Sequence, residues 1–153
     1  MTPEQKLFDL GITLPELPKP LGAYVPCVQS GNLLFISGML PLRDGKLMFT
    51  GKAGEEVSVE DAQAGAKQSA INALAVVKAH CGSLSKIRKC IKLTGFIAST
   101  TDFIDQPKVL NGASEFLFKV LGEKGLHARA AIGAAVLPLN ATVEIDFIFE
   151  IED

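Results

Sequence analysis

The sequence predicts a two-layer α+β domain, with two helices packed on one face of a mixed β-sheet. Two observations carry this. Short apolar runs with period-two alternation come first, then a helical pattern, a strand, a second helical pattern and two final strands, an order that layers helices on a sheet. The last strand also alternates cleanly, with Val143, Ile145, Phe147, Phe149 and Ile151 on one face and Glu144, Asp146, Glu150 and Glu152 mostly on the other. The apolar face needs a cover, and a helix at residues 58–80 has the stripe to provide it: Ala62, Ala66, Ala70, Ala73, Leu74 and Val77 recur at helical spacing.

Taken in order, residues 2–10 form a short amphipathic helix, capped by Thr2, with Pro3 at its first position and Leu7 and Leu10 on one side. Residues 12–22 hold three prolines and are extended and irregular. Residues 24–29 and 33–37 are apolar runs separated by Ser30, Gly31 and Asn32, which predicts a β-hairpin. A second hairpin fits residues 40–50 around Asp44-Gly45. Ser58 opens the long helix, with Asp61 completing a weak capping box, and Gly82 stops it. Residues 86–98 form a strand with Ile87, Ile91, Leu93 and Ile97 on one face and Arg88, Lys92, Thr94 and Phe96 on the other. Residues 106–121 form the second packed helix, with Pro107 near its start and Gly122 at its end.

The stretch 127–150 reads as a final hairpin turning at Pro138, Leu139 and Asn140. After Arg129, its first strand carries only small or branched residues, from Ala130 to Val136, and small side chains let a ligand or another backbone come close. Arg129 has no acidic residue within six positions except Glu123, so it is free for an outside carboxylate or phosphate. Taken alone, the pattern favours a surface or interface ion pair for Arg129. The second sheet face, with Lys, Thr, Phe and small residues, is too mixed for solvent and too polar for a sealed core. An oligomer interface accounts for it, and a closed ring would place clefts between subunits.

Composition narrows the function classes. At 153 residues the chain is one domain, with 48% hydrophobic residues and no Trp, so its core is built from small aliphatic residues and Phe. A net charge of −2 provides no basic footprint for nucleic acid. No apolar run reaches the roughly 20 residues of a membrane span, and the N-terminus lacks a secretory pattern, so a cytoplasmic location is expected. Cys27, Cys81 and Cys90 match no zinc or redox spacing and read as buried small hydrophobes. His80 and His127 read as capping or packing residues. Ser37 sits in no nucleophile elbow, and the glycines have no phosphate-loop spacing.

From about Gly22 to Ile151 the chain resembles the Rid family of reactive-intermediate deaminases, the YjgF or L-PSP group. The resemblance is carried by LGAYVPCV, FISGMLPL, KCIKLTGFIASTTDF, VLNGASEFL and the HAR and VEID elements, in this order and spacing. It implies a YjgF-like, chorismate-mutase-like fold and a homotrimer with three inter-subunit clefts. The implied activity is hydrolysis of 2-imino or 2-enamino acids to 2-oxo acids and ammonia, on a small carboxylate-bearing substrate, without metal or organic cofactor. It also implies that Arg129 holds the substrate carboxylate, Glu144 is the acid/base that handles water, and Tyr24 closes the cleft. Ser37, Gly38 and Asn111 line that cleft, and Phe96 is a further substrate contact. Met39 stands where many active members have Gln, and Ala131 where many have Cys, changes that keep the charge clamp and alter the pocket wall. The long N-terminal lead and the insertion GKLMFTGKAGEEVS suggest a distinct subgroup. Two other functions compete: a non-catalytic trimeric module that binds small carboxylates, and a ribonuclease or translation inhibitor, which the acidic balance opposes.

One geometric problem is visible in the sequence. In a tight hairpin Glu144 would pair across from about Ala135, on the order of 20 Å along the strand from Arg129. Either the register differs, or the two residues of one site come from different subunits.

Overall fold

The computed structural model describes residues 1–17 and 22–152; the part of the proline-rich lead-in at 18–21 lies outside the described residues. Local signals act where the sequence puts them. Helix α1 (Pro3–Asp9) is closed by a capping box in which Thr2 and Gln5 bond each other's backbone N–H. Leu7 is buried, whereas Leu10, at the C-cap, is exposed.

Strands β1 (Cys27–Ser30) and β2 (Leu33–Met39) form the first hairpin through Gly31 and Asn32, with Ser30 paired to Leu33. The first strand begins later than expected, after Pro26, which leaves Tyr24 outside the ladder. Strands β3 (Leu42–Arg43) and β4 (Lys46–Leu47) meet at Asp44 and Gly45, both at positive φ, as a two-residue hairpin turn of the primed type requires.

Helix α2 (Val59–Cys81) begins at Ser58, whose Oγ accepts from the Asp61 N–H, and ends at Gly82 in the left-handed conformation. All six residues of its predicted stripe are fully buried. Helix α3 (Gln106–Leu121) crosses it at Gly112, where any Cβ would fall onto the Gln63 carbonyl of α2. The two helices thus pack directly against each other and together cover one face of the sheet.

The main sheet has five strands in the order β1-β2-β7-β5-β6, where β5 is Ile87–Ala98, β6 is Ala128–Ala134 and β7 is Val143–Ile151. This corrects the expectation of a final hairpin. β6 and β7 are not neighbours: β5 lies between them, antiparallel to β7 and parallel to β6. The connection at 135–142, with Leu139 and Asn140 at positive φ, crosses the end of β5, where the Ala98 N–H donates to the Thr142 carbonyl. The twelve-residue β5 offers two long edges, and each of the last strands takes one.

Two bulges in β5 correct a smaller expectation, since they place Cys90 rather than Ile91 in the core. The covered face is then Leu34, Ile36, Leu93, Ile97 and the alternate residues of β7 from Val143 to Ile151, all buried. The open face carries Val28, Phe35, Lys92, Thr94, Phe96, Ile132, Glu144, Asp146 and Ile148, and Val28, Phe35 and Ile132 are 56%, 41% and 45% exposed. No helix of the described residues is long and apolar enough to cross a membrane.

Candidate functional site

The predicted site residues fall into two groups on opposite sides of the sheet. The first lies on the open face. Glu144 alternates with the buried Val143 and Ile145, so its carboxyl points away from the helices, and Phe96 and Ile132 lie beside it in the same row across β7, β5 and β6. Gly38 sits in the β2 bulge directly beneath the Glu144 side chain. A Cβ there would lie 2.7 Å from Glu144 Oε2 and 3.0 Å from its Cδ, so the absence of a side chain makes room for the carboxyl. Ser37 donates from Oγ to the Val25 carbonyl at 2.7 Å and thereby holds the segment that carries the exposed Tyr24.

This face is electrostatically costly for a carboxylate. Burial first, and then the negative charge of Asp146, push the Glu144 carboxyl above its ordinary range. Asp146 is raised too, again by burial, against hydrogen bonds from Thr94 that pull it down. Among the described residues no salt bridge reaches Glu144.

The second group lies on the helix side, at the edge of the sheet. Arg129 pairs in register with the core residue Leu93, so it shares that residue's face, and its guanidinium runs along α3. Nη1 donates to Ser114 Oγ at 3.0 Å and Nη2 to the Pro107 carbonyl at 3.3 Å. Among the described residues, three of the five guanidinium N–H groups have no partner and no carboxylate pairs with Arg129. Asn111 falls between these contacts, because positions 107, 111 and 114 share one face of a helix. Behind Arg129, His127 Nε2 lies 2.9 Å from Ser114 Oγ, and its Nδ1 lies 2.6 Å from the Gly125 carbonyl. Burial, chiefly, lowers the His127 pKa; the Gly125 carbonyl opposes this and Arg129 adds to it.

The structure therefore brings Glu144, Gly38 and Phe96 to one side, with Ser37 tied to the segment that carries the exposed Tyr24, and Arg129 and Asn111 to the other. Arg129 is offset from Glu144 by three residues, about 10 Å along the strands, and by two strand spacings, about 10 Å across. Both alternatives raised by the sequence are thereby narrowed: the register does differ from a hairpin, yet one chain still cannot place both groups on one small molecule. Two concavities of about 470 and 560 Å³ contain none of the predicted residues; they lie beside α1 and under residues 11–15. Met39 and Ala131 pack against the core, so their side chains do not face Glu144.

Sequence reasoning gave Ser114 and His127 no part in the site. Two signals pointed to them: His127 and Arg129 share a strand face by their spacing, and Ser114 follows Pro107 by seven residues on one helix face.

Residues 4–151 match the family described as "YjgF/chorismate mutase-like, putative endoribonuclease". The chain is similar to protein TCP17 of Trypanosoma cruzi, 39% identical over 96% of this chain and 92% of that one. It is also similar to a 2-iminobutanoate/2-iminopropanoate deaminase of Dermatophagoides farinae, 32% identical over 92% and 95% of the two chains. Among solved structures, a protein of unknown function from Agrobacterium tumefaciens is 52% identical and superposes with a TM-score of 0.92, covering 99% of this chain and 93% of that one.

Proposed function

The chain belongs to the YjgF/chorismate mutase-like family, and on that premise we propose that it hydrolyses small 2-imino and 2-enamino acids in a cleft shared by two copies of a homotrimer. The observation that carries this is the separation of a braced Arg129 from a half-buried Glu144 on opposite sides of the sheet, neither of them ion-paired among the described residues. Each is half of a site. Similarity to a deaminase named for 2-iminobutanoate and 2-iminopropanoate supports the substrate class.

The chemistry follows from the two halves. Arg129 of one copy grips the substrate carboxylate with the N–H groups not used in its bonds to Ser114 and Pro107, and its planar fork fixes the substrate's orientation. Glu144 of the next copy takes a proton from water as the oxygen attacks the imine carbon, and the C=N bond becomes a C–N single bond on a carbon bearing a new hydroxyl. The same carboxyl returns that proton to nitrogen; it then takes the hydroxyl proton as the C=O bond forms and delivers it to the amino group, so that the C–N bond breaks and ammonia leaves behind a 2-oxo acid. A carboxyl raised above its ordinary range is the stronger base, which suits the step that takes a proton from water. Phe96 and Ile132 beside Glu144 supply an apolar wall for a short aliphatic side chain.

The test is ammonia release from imine generated in situ. Arg129→Ala should lower kcat/KM by roughly 30-fold to several thousand-fold with the fold intact, and Arg129→Lys should restore little, because a point charge lacks the fork. An Arg129→Ala protein as active as wild type would refute the proposal. A wild type that is inactive but binds 2-oxo acids at Arg129 would transfer the site to a carboxylate-binding module.

A further inference from the structure

We infer that His127, acting through Ser114, is a positioning residue that holds the Arg129 guanidinium in its carboxylate-gripping orientation. The inference rests on the reading of Arg129 as the anion-binding group and adds a residue pair to it.

The direction of each hydrogen bond follows from chemistry. The Gly125 carbonyl can only accept, so at 2.6 Å the His127 Nδ1 must carry the hydrogen. A neutral imidazole with Nδ1–H has only a lone pair at Nε2, so Ser114 Oγ, 2.9 Å away, donates to it. With its hydrogen committed, Ser114 Oγ has lone pairs for Arg129 Nη1 at 3.0 Å. The result is one unbranched chain, from guanidinium to hydroxyl to imidazole to backbone carbonyl, with a single consistent polarity. Its base is the 3-10 turn Gly122–Gly125, which is fixed tightly: Gly125 packs so closely on the Leu117 carbonyl of α3 that no Cβ would fit.

A protonated His127 would reverse one link, since Nε2 would then donate and Ser114 would face two donors, beside a second cation. Burial of the ring and the charge of Arg129 both oppose that state. Without Ser114, Arg129 keeps among the described residues only the longer contact to the Pro107 carbonyl at 3.3 Å, and without His127 the Ser114 hydroxyl loses the acceptor that fixes its hydrogen, so in either case a long side chain samples more poses. The carboxylate must then order it on binding.

The prediction is a KM effect with little change in kcat, because the relay orients the group that binds and does not touch the water. Ser114→Ala and His127→Phe should each weaken binding of 2-oxobutanoate, measured calorimetrically, by about tenfold. The double variant should lose no more than either single one, since one broken link breaks the chain. His127→Gln, whose carboxamide oxygen can accept from Ser114, should return to within about threefold of wild type. A role confined to packing would lower the melting temperature of His127→Phe and would not be rescued by Gln. If Arg129→Ala abolishes binding while Ser114→Ala and His127→Phe bind like wild type, the relay is refuted and the reading of Arg129 stands. If Arg129→Ala itself binds like wild type, both fail.

Discussion

Replacing Gly38 with Ala tests the open-face half of the site with a single methyl group. An ideal Cβ at Gly38 lies 2.7 Å from Glu144 Oε2, 3.0 Å from Cδ and 3.1 Å from Cγ, and ordinary contact begins near 3.4 Å. Three consecutive atoms are too close, so the whole end of the Glu144 side chain must shift by about 0.7 Å or rotate away. Gly38 is not at positive φ, so Ala meets no backbone strain, and the atom it displaces is the free end of a flexible side chain. Stability should therefore change by less than about 1 kcal/mol. Catalysis should suffer far more, because a misplacement of about 1 Å in a reacting group can reduce the rate on the order of 100-fold, or about 2.7 kcal/mol. The assay is ammonia release at saturating imine, with the melting temperature measured on the same sample. We expect kcat to fall by roughly 30- to 100-fold and binding of 2-oxobutanoate to remain near wild type, since the Arg129 half is untouched. A Gly38→Ala protein with unchanged kcat would show that the position of the Glu144 carboxyl does not matter to the reaction.

Glu144→Gln should be inactive yet no less stable than wild type. The folded carboxyl is raised above 4.5, so its ionisation costs the fold stability as pH rises through the folded value. The variant's advantage in melting temperature should be absent below that ordinary pKa and grow toward neutral pH; a wild type that is the more stable protein at neutral pH would contradict the burial argument. Gly112→Ala should lower the melting temperature by roughly 5–10 °C, because its Cβ meets the Gln63 backbone where α2 and α3 cross and the helices must separate. A melting temperature unchanged within a degree would show that this crossing has slack.

Much of the fold is legible in the sequence because its signals are local. Ser58 and Gly82 bound α2, Asp44-Gly45 turns β3 into β4, and the alternation from Val143 to Ile151 marks the covered face, each within a few residues of chain. The neighbour of β6 is not legible, because choosing between β7 and the free edge of β5 depends on a crossover at 135–142 that resembles a turn in composition. The bulges that exchange Ile91 for Cys90 are likewise set by pairing with β7 and not by the alternation of β5. For the site, residue types and positions could be named from a resemblance, but their division between two faces follows from strand order and pairing register. The relay from Arg129 to His127 also needs α3 laid against β6, which no spacing within either element states.

The most direct test of the shared site is complementation between two inactive proteins, Arg129→Ala and Glu144→Gln. Subunits of the two variants are mixed in equal amounts, unfolded and refolded together, and assayed for ammonia release against each variant refolded alone. If a working site takes Arg129 from one copy and Glu144 from the next, random assembly restores both groups at about a quarter of the clefts. Activity should then recover to about a quarter of that of refolded wild type. If the site lies within one chain, every cleft in the mixture keeps one defect, and activity no higher than that of the two parents would contradict the account.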